Sequence, residues 1–287
     1  MNYKLRCGGK ILKVLITGNK GFLGSHTEKF LLDRGHTVTG VDINQDIRKG
    51  FPKGNFDVLF HFAAFVGGRK GIDHNTWKIL ENIEIDRVTL QWAEDNCKKI
   101  IYPSSSAAYP ATLQMENVVA IKEDDINLGL PFDAYGLSKR ITEQMFEYCK
   151  TPAHIMRPFS IYGPDQSMDY PIPNIIKLAK QGKSVVWGSG KHTRDWVYID
   201  DALRVFEYLM HCDTPTILNI GSGVPVTFIK LAEIIYKEIH GIIIPVQTQI
   251  DEPEGVKHRY ADTTKLVSLG LGTNISLEEG IRRIIHG

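Results

Sequence analysis

The chain has 287 residues, a length that suits one large domain or two modest ones. Hydrophobic residues make up 43% of it and charged residues 23%, which provides ample apolar material for a core and excludes intrinsic disorder. Lys and Arg number 34 against 33 Asp and Glu, so the formal net charge is +1. This balance gives no electrostatic basis for binding nucleic acid or an acidic surface.

Cysteine usage and hydropathy exclude further classes of protein. The cysteines are Cys7, Cys97, Cys149 and Cys212. Because they lie far apart and form no CxxC pair, they argue against a zinc site and against a disulfide framework. No stretch approaches the roughly 20 apolar residues that a membrane-spanning helix needs. We therefore expect reduced thiols, no metal, no membrane association and a cytoplasmic location.

Short apolar runs alternate with helical patterns through the first half of the chain. The predicted strands are residues 13–17, 37–42, 57–61, 99–103 and 154–157, and the predicted helices are residues 22–34, 75–96 and 135–150. Such alternation implies right-handed crossovers and a parallel sheet covered on both faces. The sequence therefore predicts an α/β fold with a Rossmann-type doubly wound parallel sheet.

The pattern changes after Tyr162, where a loop interrupted by prolines begins. Beyond it we predict a helix at 174–180, a strand at 184–187, a helix at 200–210, a strand at 216–220 and an irregular stretch at 251–262. This mixture indicates a smaller, mixed α/β C-terminal lobe. We assign residues 1–161 to a dinucleotide-binding domain, to which 196–223 return, and residues 162–195 and 224–287 to a substrate-binding lobe.

A glycine-rich turn follows the first predicted strand and opens the first helix. In this turn Gly18 permits a tight bend, Gly21 lets the backbone approach a pyrophosphate, and Gly24 allows close helix–strand packing. The helix N-terminus then presents free N–H groups and positive partial charge to the phosphates. Asp42 ends the next strand, where a carboxylate accepts hydrogen bonds from ribose hydroxyls and repels a 2′-phosphate. It favours NAD over NADP, whereas Lys20 within the turn acts in the opposite direction.

Tyr135 and Lys139 lie four residues apart on one face of a predicted helix. A free tyrosine has a pKa near ~10 and is a poor base at neutral pH. Because a nearby ammonium favours the phenolate, we expect Lys139 to lower the pKa of Tyr135, which then takes a proton from a substrate hydroxyl. Ser104, Ser105 and Ser106 directly follow a hydrophobic strand, at the sheet edge where ligands bind in this architecture. A hydroxyl there can hydrogen-bond the reacting oxygen.

Taken together, these features resemble the extended short-chain dehydrogenase/reductase family, the NAD-dependent nucleotide-sugar epimerase, dehydratase and reductase group. The matching segments are TGxxGxxG at 17–24, the acid Asp42, HxAA at 61–64, the serines before an aromatic at 104–109, YxxxK at 135–139, RPxxxYGP at 157–164, RDWVYIDD at 194–201 and NIGSG at 219–223. They occur in the family's order and cover nearly the whole chain.

The resemblance implies roles for individual residues. It makes Ser105, Tyr135 and Lys139 catalytic, and Lys139 also holds the nicotinamide ribose. It implies NAD as the cofactor, bound by Gly18, Lys20, Gly21, Phe22, Leu23, Gly24, Asp42, Ala63, Ala64, Tyr135 and Lys139. It implies a nucleoside-diphosphate sugar as the substrate, bound by Ser105, Ser106, Arg194 and Arg259, where arginine suits a diphosphate. His61 is expected to pack beneath the cofactor rather than to react.

Departures from the family pattern exclude two of the reactions that members of the family catalyse. Dehydratases place Asp-Glu after the hydroxyl residue, where this chain has Ser106 and Ala107. The 3,5-epimerising members use a cysteine at the Ala107 position and a downstream histidine that residues 169–171 lack. What remains is epimerisation at C4 through a transient 4-keto sugar. Glu252 replaces an arginine common in UDP-galactose epimerases, so the nucleotide base stays open.

Two alternatives to an epimerase remain at this point. One is an NAD(P)H-dependent nucleotide-4-keto-sugar reductase of the GDP-fucose synthase type, indicated by local similarity at 66–68, 109–110, 187–190 and 253–255. The other is a non-catalytic dinucleotide sensor. A sensor needs no proton relay, so the intact set of Ser105, Tyr135 and Lys139 argues against it.

Two further expectations concern the cofactor loop and the assembly. The segment between Val41 and Asp57 is short for the family, so we expect its third strand and helix to be trimmed or lost and 43–47 to wrap the adenine. The helices at 75–96 and 135–150 carry apolar stripes. The resemblance implies that these helices pair across a homodimer.

Overall fold

A computed structural model describes residues 10–115, 118–252 and 255–287. The strands are β1 Lys13–Thr17, β2 Thr37–Val41, β3 Val58–His61, β4 Ile100–Pro103, β5 Ala120–Ile121, β6 Ala153–Pro158, β7 Ser160–Tyr162, β8 Val185–Trp187, β9 Thr193–Tyr198, β10 Ile217–Ile220, β11 Pro225–Thr227, β12 Gln247–Gln249 and β13 His258–Ala261. The helices are α1 Phe22–Leu32, α2 Arg69–His74, α3 Thr76–Asn96, α4 Thr112–Met115, α5 Ala134–Met145, α6 Pro171–Lys180, α7 Ile199–His211, α8 Phe228–His240, α9 Thr264–Ser268 and α10 Leu277–His286.

The main sheet has six strands in the order β10-β6-β4-β3-β1-β2, and its registered pairs are all parallel. Alternate side chains of β1 enter different cores: Val14 and Ile16 pack with α1 and α7, whereas Leu15 packs with α3. Strands buried on both faces read as continuous apolar runs, which is why the sequence pattern located them. The predicted fold class is confirmed.

Strand order reverses between β1 and β3, because the chain first adds β2 on one side of β1 and then β3 on the other. The C-terminal ends of β1 and β3 therefore meet, and Phe62 N donates to Thr17 O at 3.0 Å. Ligands of open α/β sheets bind at such a reversal.

Between β2 and β3 the chain forms a single 3₁₀ turn, Ile47–Lys49. β2 is consequently the edge of the sheet, so the predicted loss of a third strand and helix is confirmed. Ile47 is 7% exposed and packs in the core that contains Leu15 and Val41. This contact anchors the short connection.

The second sheet is mixed and has the order β11-β9-β13-β5, with β7 also paired to β9. The prediction of an irregular stretch at 251–262 was wrong for the last part of that stretch, where β13 forms. Its short sequence, HRYA, shows no apolar alternation, and pairing with β9 makes it a strand. The register places Arg259 opposite Arg194.

Other element boundaries differ slightly from the predicted ones. The predicted helix at 135–150 begins one residue earlier, at Ala134, and ends at Met145, followed by a 3₁₀ turn over Phe146–Tyr148. β10 returns to the main sheet beside β6, although the domain boundaries themselves stay a prediction. In the part of the chain that the structure describes, no helix has both the length and the apolar character to cross a bilayer.

Candidate active site

A cavity of about 790 Å³ opens at the C-terminal edge of the main sheet and extends between it and the C-terminal lobe. The predicted site residues on its wall are Gly18, Gly21, Phe22, Leu23, Gly24, Asp42, Ala63, Ala64, Ser105, Tyr135, Lys139, Arg194 and Arg259. Lys20 and Ser106, which were predicted to contact ligands, lie outside this wall. His61 is 1% exposed and also lies outside it.

The glycine turn has no room for side chains where it meets its neighbours. Gly18 has a φ of +73°, and a Cβ there would lie 2.7 Å from Ala63 N. A Cβ on Gly24 would lie 2.0 Å from the Gly18 carbonyl oxygen. α1 begins at Phe22 without a side-chain cap, so its first N–H groups can donate to an anion. This cradle fits the pyrophosphate of a dinucleotide.

The carboxylate of Asp42 is fixed beside the turn. Its Oδ2 accepts from Lys20 N and its Oδ1 from Ile43 N, both at 2.7 Å. Each oxygen retains a lone pair for a ribose hydroxyl. Beyond it, Asp46 accepts from Arg48 N at 3.1 Å, and Arg48 also bridges to Glu81 on α3 at 2.8 Å. These interactions hold the short loop at the adenine end of the cavity.

Close packing brings together the segments that carry Ser105 and Tyr135, the two hydroxyl residues predicted to be catalytic. Ser105 follows β4 and caps the next turn, with Ala107 N donating to its Oγ at 3.0 Å. Tyr135 opens α5, whose N-cap Asp133 accepts from Gly136 N at 2.9 Å. A Cβ on Gly136 would lie 2.2 Å from the Ala107 carbonyl oxygen. This glycine therefore lets α5 approach the serine turn, close enough for Ser105 to lower the pKa of the Tyr135 phenol.

Several groups act on the pKa of the Tyr135 phenol. Burial raises it most, and the negative charge of Asp133 raises it further. Ser105 and the charge of Arg259 lower it. Tyr170 adds a second phenol to the cavity wall, and burial raises its pKa too, so it is neutral near pH 7.

Lys139 lies on the same wall of the cavity as Tyr135. Its ammonium donates to Pro103 O at 2.9 Å and lies 4.5 Å from the centroid of the Tyr102 ring. These contacts fix the ammonium above β4. The lowering of the Tyr135 pKa by Lys139 stays a prediction.

The two arginines come from neighbouring strands of the second sheet. Arg194 donates to Thr193 O at 2.8 Å and lies 5.6 Å from the Phe228 ring centroid. Arg259 Nε donates to the side-chain oxygen of Gln114, which is fully buried. Sequence analysis did not identify Gln114, since a buried glutamine on a four-residue helix carries no local signal.

Two loops, one after β3 and one before α6, meet at the wall of the cavity. Gly68 follows β3, and a Cβ there would lie 2.1 Å from the carbonyl oxygen of Asp169. Asp169 precedes Tyr170, the N-cap of α6. Sequence analysis noted residues 67–68 and 169–171 only as pattern elements. Pro253 and Glu254, which belong to another noted segment, lie outside the described residues.

We expect Gly68→Ala to weaken substrate binding without affecting the cofactor turn. The new methyl group would push the loop that carries Tyr170 outward, and overpacking of this kind costs about 1–3 kcal/mol. The KM for substrate should rise about tenfold. Gly71→Ala is the control, because a Cβ at Gly71 meets nothing within 4 Å. Equal KM values for the two variants would show that the two loops do not shape the site.

The fold and the site define a dinucleotide-dependent enzyme with a Ser-Tyr-Lys set. The profile of the NAD dependent epimerase/dehydratase family matches residues 14–221. The chain belongs to this family, as its motifs predicted, and NAD is its cofactor.

Individual relatives span several reactions. UDP-N-acetyl-alpha-D-glucosaminuronate decarboxylase of Bacillus cytotoxicus is 30% identical, over 96% of this chain and 97% of the relative. GDP-mannose 3,5-epimerase 1 of Oryza sativa is 30% identical, over 94% and 80%. A putative UDP-glucose 4-epimerase of Methanocaldococcus jannaschii is 28% identical, over 95% and 97%. Sequence similarity alone therefore does not select one reaction.

The fold has a close structural counterpart. The crystal structure of UDP-glucose 4-epimerase from Thermotoga maritima superposes with a TM-score of 0.83, covering 95% of this chain and 97% of that one at 23% identity. At this identity the similarity establishes the fold alone.

Proposed function

We propose that the protein inverts the configuration at C4 of a nucleoside-diphosphate sugar. The observation that carries the proposal is that Ser105, Tyr135 and Lys139 lie on the wall of the same cavity as the glycine turn, with Ser105 lowering the pKa of the Tyr135 phenol. Two residues after Ser105 stands Ala107, which offers no acid or base for a second sugar carbon. The set suffices for oxidation and reduction at one carbon.

The side chains divide the chemistry as follows. NAD, when bound, supplies a reversible hydride acceptor for the carbon. Tyr135 takes the proton of the C4 hydroxyl and later returns it, so the cycle releases no net proton. Ser105 and Arg259 favour the phenolate against burial. Ser105 also lies where it can donate to the sugar oxygen as its charge changes.

The remaining proposed contacts orient the two ligands. Gly18, Gly21 and the start of α1 hold the cofactor pyrophosphate, while Asp42 holds the adenosine ribose and favours NAD over NADP. Arg194 and Arg259 neutralise the sugar nucleotide's diphosphate. Trp187 lies on the same wall and offers an aromatic surface for the base.

The experiment that tests the function is a panel of UDP-, GDP-, CDP- and dTDP-sugars, with products resolved by NMR. The proposal expects one C4 epimer pair to interconvert without added reductant. Oxidation of NADPH with a 4-keto sugar would instead support the reductase. Retained NAD with no turnover of any sugar would support a sensor. Loss of carbon dioxide from a uronate sugar would assign the reaction of the decarboxylase relative.

We expect Gln114→Leu to raise the KM for the sugar nucleotide about tenfold or more, with a smaller effect on kcat. The substitution removes the acceptor that orients Arg259, and hydrogen bonds to charged groups contribute about 1.5–3 kcal/mol. Gln114→Glu keeps an acceptor for the guanidinium and should retain a KM near that of the wild type. Equal KM values for both variants would contradict the positioning of Arg259 by Gln114.

We also propose a homodimer that pairs through α3 and α5, and a cytoplasmic location. Trp77 on α3 is 84% exposed and Leu137 on α5 is 38% exposed, which supports burial of these side chains in an assembly. Cys97, Cys149 and Cys212 are free thiols, as suits a reducing compartment. Light scattering after size exclusion tests the dimer, and a monomer mass at micromolar concentration would contradict it. Fractionation of cells tests the location.

A further inference from the structure

Asp86 on α3 is a carboxylate buried beneath α5, and its exposed fraction is 0%. Its Oδ1 lies 2.9 Å from His61 Nε2. Its Oδ2 accepts from Tyr102 OH at 2.9 Å and from Thr142 Oγ1 at 2.5 Å. The donors come from β3, β4 and α5, so Asp86 joins three elements of the site.

The His61 ring is held from both sides. Thr17 Oγ1 accepts from Ala63 N at 3.3 Å and lies 2.7 Å from His61 Nδ1, while His61 Nε2 lies 2.9 Å from Asp86. The chain of contacts therefore runs from Asp86 through His61 and Thr17 to Ala63 on the cavity wall.

Lys139 is the cation next to this charge. It stands three residues before Thr142 on α5, and its ammonium lies 4.5 Å from the ring centroid of Tyr102; Thr142 and Tyr102 both donate to Asp86. Lys139 is only 3% exposed. Burial lowers the pKa of its ammonium, whereas the charges of Asp86 and Glu143 raise it. Glu143 is already paired with Arg157 at 2.7 Å, so much of its charge is balanced. A buried ammonium without a counter-charge loses its proton readily.

We propose that Asp86 is a positioning residue of the active site: it keeps Lys139 as an ammonium and, through His61 and Thr17, ties that charge to the cofactor turn. This inference rests on the proposed function and on the contact of Lys139 with the nicotinamide ribose that the family resemblance implies. Asp86 lies outside the cavity wall, whereas Lys139 is part of it. Asp86 acts by fixing the charge and place of that lysine.

The test is the pH dependence of Asp86→Asn. Without the carboxylate, the pKa of Lys139 falls, so the ammonium is lost at lower pH. The alkaline limb of turnover should move to lower pH by about one unit or more. The midpoint of NADH binding, followed by NADH fluorescence against pH, should move in the same direction. The binding readout does not require turnover, so it remains informative if the sugar reaction is not the proposed one.

Tyr102→Phe is the matched control, because it removes a hydrogen bond to Asp86 but leaves the charge. It should lower stability, while the alkaline midpoints of turnover and of NADH binding stay at wild-type values.

Asp86→Thr is neutral and of similar volume, and it replaces Asp86→Asn if that variant does not fold. Asp86→Glu keeps the charge and should restore the wild-type midpoints. Unchanged midpoints in the folded neutral variant, or equal shifts in Tyr102→Phe, would overturn the proposal. If the wild-type protein still epimerises its sugar in that case, the proposed function is unaffected and only the role of Asp86 is excluded.

Discussion

Replacing Tyr135 with phenylalanine is expected to lower kcat by about 10²–10⁴-fold, the usual contribution of a positioned acid or base. The Tyr135 phenol lies on the cavity wall, and Ser105 and Arg259 both lower its pKa. Removal of one oxygen leaves the ring in place, so NAD and sugar-nucleotide binding should persist. Steady-state kinetics together with NAD retention measures both effects.

The control for this substitution is Tyr148→Phe. Tyr148 lies just beyond α5 and is 87% exposed, so loss of its hydroxyl should leave kcat unchanged. Near-wild-type turnover by Tyr135→Phe would exclude Tyr135 as the base. A parallel loss of NAD from Tyr135→Phe would show that the phenol supports the cofactor rather than the chemistry.

Gly18→Ala should abolish stable NAD binding. An alanine at a φ of +73° is strained by about 1–2 kcal/mol. Its Cβ would also lie 2.7 Å from Ala63 N and 2.8 Å from Phe62 C. These backbone atoms follow β3 and cannot yield without moving the cofactor loop, so we expect the Kd for NAD to rise at least about a hundredfold.

Gly35→Ala separates the effect of backbone strain from the effect of the steric contact that the new Cβ makes. Gly35 has a φ of +80°, and a Cβ there meets nothing within 4 Å. It should lose stability through backbone strain alone and bind NAD normally. Titration of NAD into both purified variants measures the difference. Equal NAD affinities would mean that the contact between Gly18 and the β3 loop does not shape the cofactor site.

The central sheet and the cofactor turn could be predicted because their causes are local. Val14, Leu15 and Ile16 form a continuous apolar run, which is typical of a strand buried on both faces. Gly18 and Gly24 stand where the neighbouring backbone leaves no room for a side chain. The missing third strand was also predictable, because the residues between Val41 and Asp57 are too few to form it.

Features that depend on tertiary pairing could not be predicted in this way. β13 becomes a strand because β9 lies beside it, and Gln114 matters because Arg259 reaches it from a distant part of the chain. Tyr170 enters the site because Asp169 meets Gly68. Asp86 appears in the sequence as one polar residue in a helix; its burial against His61 and Tyr102 is what gives it meaning.

The most direct test of the account uses a nucleotide sugar that carries deuterium at C4. The experiment starts from UDP-glucose or from whichever panel sugar turns over, and NMR follows the product in ordinary water. The account predicts inversion at C4 with the deuterium retained and no solvent exchange at C3 or C5. Inversion or exchange at C3 or C5, or loss of the C4 label to solvent, would contradict it.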